Sequence, residues 1–71
     1  MRDETLQKKV GQRIRELRLQ KGYSQNELSL KCDFEKPNLS RLESGRDNST
    51  LATLNRIANG LEVNIIELFK F

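Results

Sequence analysis

The 71-residue chain predicts an all-α domain of five helices. Apolar residues recur every three or four positions, the mark of helices with one buried stripe. Two stretches, "SQNE" and "NIIE", have the form of a capping box. Each apolar run ends at a glycine or a short polar break. No run alternates in the manner of a strand over any length, although "LEV" at 61–63 suits a short extended link.

The first helix is expected from Thr5 to Lys21, with Leu6, Val10, Ile14 and Leu17 as its inner stripe and Gly22 at a left-handed C-terminal cap. Ser24 opens the second helix as N-cap, with Glu27 three residues on returning a hydrogen bond, and Leu28 and Cys32 face inward. Asp33 interrupts. A third helix runs from Glu35 or Lys36 to Glu43, closed by Gly45 and the polar loop "RDNS". Thr50 starts a fourth, with Leu51, Leu54, Ile57 and Ala58 inward and an end at Asn59–Gly60. The box from Asn64 to Glu67 opens a last short helix through Leu68 and Phe69. Repeats, low-complexity tracts and linkers are absent, so residues 1–71 read as one domain.

A domain of this size buries only about 60% of its unfolded surface, so a helical core or a dimer contact has to supply the stability. The single cysteine, Cys32, excludes an internal disulfide, and with no histidine a structural zinc site is not expected. One thiol suits a reducing cytoplasm, as a small buried side chain. No segment approaches the apolar length of a membrane span, and no signal-peptide core follows Met1. The net charge is +3. Residues 1–23 concentrate it in Arg2, Lys8, Lys9, Arg13, Arg15, Arg18 and Lys21 against Asp3, Glu4 and Glu16. Such a basic helix is an ordinary solvated face or the flank of a polyanion; charge alone does not choose. An enzyme is not expected, for lack of histidine, paired carboxylates or a glycine-rich phosphate loop, and no cofactor, metal or small-molecule effector is implied.

The third helix poses a sharper question. On a helical wheel of "FEKPNLSRLES", Leu39 and Leu42 fall on one side, with Pro37, Arg41 and Ser44 opposite. It therefore has an apolar back and a hydrogen-bonding front. Helix two, a turn and helix three, over residues 24–43, follow the layout of a helix-turn-helix, whose second helix can lie in the DNA major groove.

From Gly11 to Phe69 the chain resembles lambda-repressor-like helix-turn-helix domains of phage Cro proteins, phage repressors and small bacterial regulators. The resemblance rests on "GQRIRELRLQKGYSQNEL", "NLSRLESG" and "TLATLNRIANGLEVNIIELF". It implies double-stranded DNA as partner, with Ser24 and Gln25 at a phosphate. Lys36, Pro37 and Arg41 would project into the groove with Glu35 at its edge, and Arg41 would be the best base reader. Asn38, Ser40 and Ser44 would reach phosphates or base edges, and Arg46 and the N–H groups around Gly45 would grip the far backbone. Arg18 and Glu43 match a structural salt bridge between helices one and three.

Four positions depart from the family pattern. Ser29 replaces alanine, and a hydroxyl bonded back to the preceding turn keeps the helices close. Asp33 replaces the glycine that takes positive φ, which aspartate tolerates better than most residues. Ser49 replaces a proline. Pro37 occupies a base-facing position, and its bias on Lys36 predicts that helix three starts one residue late, with Lys36 as N-cap.

Taken singly, Arg41 is a surface arginine, Asn38 a cap and Ser24 and Glu27 a capping pair; jointly they point to a transcriptional regulator. Ile65, Ile66, Leu68, Phe69 and Phe71 leave more apolar surface at the chain's end than one core stripe, of Ile65, Leu68 and Phe69, uses. Ile65, Ile66, Phe69 and Phe71 are thus the expected homodimer interface, with Ile66 and Phe71 lacking an evident partner within the chain. The length, the missing ligand domain and the "GLEVN" stretch look most like restriction-modification controller proteins, with small phage-type repressors almost as similar. The competing reading is a protein-interaction module, antitoxin-like, that keeps the fold without specific DNA binding.

Overall fold

The computed structural model describes residues 4–71, with Glu4 described by its backbone alone. Met1, Arg2, Asp3 and the Glu4 side chain, three of which entered the charge count, lie outside the described residues. The order is α1 (Glu4–Gln20), α2 (Gln25–Lys31), α3 (Lys36–Glu43), α4 (Leu51–Leu61) and a 3-10 helix (Ile65–Phe69). All regular structure among the described residues is helical, so "LEV" forms no strand.

One apolar core joins the elements: Val10, Ile14 and Leu17 of α1, Leu28 and Cys32 around α2, Leu39 and Leu42 of α3, Leu54, Ile57, Ala58 and Leu61 of α4, and Leu68. α1 packs on α3 and the 3-10 helix, and α2 packs on α3 and α4. Two glycines allow the closest approaches. A Cβ on Gly11 of α1 would stand 2.7 Å from the carbonyl oxygen of Glu43, and one on Gly60 would overlap Cys32 Sγ. Burial pushes the Cys32 thiol pKa up, so it stays a neutral packing group.

Two expected core positions face solvent instead. Leu6 is 47% exposed and Leu51 71%. Leu6 lies on the overhang of a 17-residue helix whose partner α3 has eight residues, a difference of about 13 Å at 1.5 Å per residue. Leu51 stands in the first turn of α4, whereas α2 meets that helix further along, at Ile57 and Gly60.

The ends of α1 to α4 share one closure: a residue with positive φ, followed by an N–H donated to the carbonyl five residues back. Gly22 and Gly45 (φ 79° each), Asp33 (φ 53°) and Glu62 (φ 61°) take the left-handed position. The bonds run from Tyr23 N to Arg18 O, Phe34 N to Ser29 O, Arg46 N to Arg41 O and Val63 N to Ala58 O. α4 therefore continues through Gly60 and stops at Glu62; Gly60 serves the contact with Cys32.

The fifth element is a 3-10 helix, where an α-helix was expected. Glu67 N donates to Asn64 O at 2.9 Å, a three-residue step, and the Asn64 side chain accepts from Ile66 N. The Asn64–Glu67 capping box does not form, because the Glu67 side chain turns to Lys70 (2.7 Å) and Arg13 (3.4 Å). Arg13 Nε also donates to Glu67 O at 2.8 Å, tying this short turn to α1.

Candidate nucleic-acid interface

Ser24 has extended backbone, and its hydroxyl accepts from Glu27 N at 3.0 Å while its N–H donates to Glu27 Oε1 at 2.9 Å. The Ser24 N–H, and then the Ser24 hydroxyl, hold the Glu27 carboxyl below its ordinary pKa. α2 thus starts at Gln25, and Ser29 Oγ, bonded back to Asn26 O at 2.8 Å, keeps its buried side small. After Cys32 the left-handed Asp33 reverses the chain, Phe34 packs against the core, and Glu35 (φ −79°, ψ 139°) is the N-cap of α3.

The expectation of Lys36 as N-cap is corrected: Lys36 is the first helical residue and Pro37 the second. Leu39 N donates to Glu35 O at 3.1 Å and Leu39 is 1% exposed, so core burial fixes the first turn against the bias that proline exerts on its predecessor. The missing proline N–H falls where no helical acceptor exists.

Below this turn Arg18 grips Glu43 with two prongs, Nε to Oε2 at 2.7 Å and Nη2 to Oε1 at 3.1 Å. Arg18 Nη1 also donates to Tyr23 O at 2.9 Å. Gln25 Nε2 donates to Glu43 Oε1 at 3.1 Å. The start of α2 is therefore fixed to the end of α3 through one carboxylate, a link that the sequence reading missed. Its signal was indirect, a single glutamate needed by an arginine and a glutamine from two other elements.

With Leu39 and Leu42 buried, the outer face of α3 displays Glu35, Lys36, Pro37, Arg41 and Ser44, all exposed, beside half-buried Asn38 and Ser40. Arg41 Nη2 donates to Asn38 Oδ1, and Asn38 Nδ2 donates to Glu35 Oε1 at 3.4 Å. Arg41 Nε lies 3.6 Å from Asp47 Oδ1, an acid of the loop after α3. Ser44 Oγ donates to Arg41 O and accepts from Arg46 Nε at 3.2 Å. The backbone N–H groups at Gly45 are not free, which corrects the expectation for them: Ser44, Gly45 and Arg46 donate theirs to Ser40 O, Leu42 O and Arg41 O in closing the helix. Lys8 of α1 lies beside this turn, since a Cβ on Gly45 would stand 2.7 Å from Lys8 Cα.

At the chain's end, the apolar side chains of Ile66 (62% exposed), Phe69 and Phe71 are exposed. Ile65, half-buried, packs against the core. Phe71 has a partner within the chain after all: its ring lies 5.6 Å from Lys9 Nζ, against α1. Among the described residues no His, Cys, Asp and Glu group could hold a metal, and no helix is long and apolar enough to cross a membrane.

The helix-turn-helix family model matches residues 14–68. The chain belongs to the helix-turn-helix family. This helix-turn-helix chain is 40% identical over 63 residues to the HTH-type transcriptional regulator y4dJ of Sinorhizobium fredii, covering 89% of this chain and 82% of that one. Its fold is similar to that of the restriction-modification controller protein C.AhdI from Aeromonas hydrophila, with TM-score 0.85, 35% identity and coverage of 87% and 94%. It is likewise similar to the controller protein C.Esp1396I, solved as a tetramer on its natural 35 base-pair operator, with TM-score 0.85, 34% identity and coverage of 92% and 86%.

Proposed function

We propose that this chain is a sequence-specific, DNA-binding transcriptional regulator, a single helix-turn-helix domain acting in the cytoplasm as a homodimer on a palindromic operator. The observation that carries it is the two-sided α3: its back is sealed into the core at Leu39 and Leu42, and its front presents Lys36 and Arg41 to solvent. The family and the operator-bound controller relative support the same reading. Arg41 reads guanine, Lys36 and Pro37 line the groove with Glu35 at its rim, and Asn38, Ser40 and Ser44 flank them. Ser24 and Gln25 meet one phosphate strand and Arg46 the other.

A dimer through Ile66, Phe69 and Phe71 sets two such helices about one DNA turn, ~34 Å, apart, which converts two weak half-site contacts into one operator. The controller-protein type fits the chain's similarity to C.AhdI over nearly the whole of both chains. Catalysis and cofactors have no part in this reading.

Selection of binding sites from a random duplex pool, followed by a salt titration on the winning and on random sequences, tests it. A palindromic consensus and a steep salt dependence on both are expected. Absence of binding at low salt would instead favour the antitoxin-like interaction module, to which the exposed Glu35 and Pro37 on α3 lend some support.

A further inference from the structure

Asp47 lies outside the helix-turn-helix, yet its carboxylate faces the arginine at the centre of the outer surface. The turn at Gly45 delivers it. Positive φ at that residue and the bond from Arg46 N to Arg41 O fold the loop back along the last turn of α3, leaving Asp47 Oδ1 3.6 Å from Arg41 Nε. On the same side-on edge, Arg41 Nη2 donates to Asn38 Oδ1. A guanidinium carries five N–H donors. With Asp47 beside Nε and one Nη2 hydrogen given to Asn38 on that edge, the remaining donors lie on the two terminal nitrogens. That is the end-on pair that matches guanine O6 and N7.

We propose that Asp47 is a specificity-determining residue, orienting Arg41 for end-on base reading and opposing its use as a general phosphate binder. The inference rests on the DNA-binding reading above. An exposed arginine without a buttress samples many rotamers, and on a polyanion its nearest alternative partner is a phosphate oxygen. An acid at its Nε edge acts in two ways. It narrows the rotamers to those that face the groove, and its own charge repels backbone phosphates wherever the base contact is not made. The half-exposed pair (side chains 47% and 37% exposed) contributes little to folding; its effect is on discrimination.

Asp47→Asn removes the charge and keeps the shape. Affinities are measured by anisotropy for the selected operator, for the operator with the Arg41-read guanine replaced, and for random duplex. Discrimination at that base is expected to fall about 5- to 10-fold, with random-duplex affinity rising roughly 2- to 5-fold and the melting temperature unchanged. In an Arg41→Ala background, Asp47→Asn is expected to leave discrimination at that base unaltered, since Asp47 acts through Arg41. Full discrimination in Asp47→Asn, or the same loss with and without Arg41, overturns the inference while the regulator reading stands. A wild-type protein that selects no sequence overturns both.

Discussion

Glu43 Oε1 accepts hydrogen bonds from Arg18 Nη2 and Gln25 Nε2, each at 3.1 Å, so α1, the start of α2 and the end of α3 meet on one buried carboxylate. Glu43→Ala leaves the Arg18 guanidinium, 9% exposed in its side chain, without a counter-charge. Losing one partner of a buried pair costs about 3–5 kcal/mol. Against a total of roughly 4–10 kcal/mol for a domain of this size, that loss is large enough to leave much of the chain unfolded at physiological temperature. Chemical denaturation checks it, and an unchanged midpoint would show that water already screens the pair.

Gln25 bonds Glu43, and the phosphate contact proposed for it can be separated from that bond experimentally. Gln25→Ala is expected to lower affinity for operator and random duplex by the same factor, because a phosphate contact carries no base information. A modest fall in melting temperature accompanies it, since Glu43 loses a donor. A change in the selected consensus would contradict the phosphate assignment.

Gly11 is where α1 touches the backbone of α3. Gly11→Ala drives a methyl against the carbonyls of Leu42 and Glu43, atoms that cannot rotate away. Helix propensity favours alanine by about 1 kcal/mol, but overpacking of this kind costs typically 1–3 kcal/mol. Net destabilisation is expected in urea melts; a more stable mutant would mean that the two helices part at little cost.

Ile66→Asp addresses assembly. A charge on the exposed apolar surface of the 3-10 helix is expected to give a folded monomer. Operator affinity should fall far more than random-duplex affinity, because only the operator uses both half-sites. Sedimentation that finds the wild type monomeric at micromolar concentration, or the mutant dimeric, refutes the interface.

Acid should weaken the fold through the start of α2 and the 3-10 helix. The Glu27 carboxyl is held below its ordinary value by the Ser24 N–H and then the Ser24 hydroxyl. The Glu67 carboxyl is lowered chiefly by the hydrogen bond from Lys70. The unfolded chain therefore takes up these protons first. Their stabilisation is complete above the ordinary value of 4.5 and is lost as pH falls through the lower folded values. Urea midpoints from pH 7 down to 3 are expected to decline below that value, and Glu27→Gln to flatten part of the decline.

Sequence by itself determined the helices, because their signals are local. Ser24 caps through Glu27, the stripes of α1 to α4 mark which faces turn inward, and Gly22 and Gly45 take the left-handed ends they invite. The two-sided character of "FEKPNLSRLES" was legible for the same reason, since a wheel needs only residue order. Tertiary structure decided whatever depends on what a residue meets. Gly60 looks like a helix stop until Cys32 is seen against it, and Leu6 and Leu51 look inward until their packing partners prove too short or too distant. Glu67 has capping spacing, but Arg13 and Lys70 compete for it and win. Lys36 follows the core burial of Leu39 and not the local preference set by Pro37. The links from Gln25 to Glu43 and from Arg41 to Asp47 span 18 residues in one case and a turn in the other. Periodicity is silent about such pairs, because a side-chain contact between elements depends on where the core places two backbones.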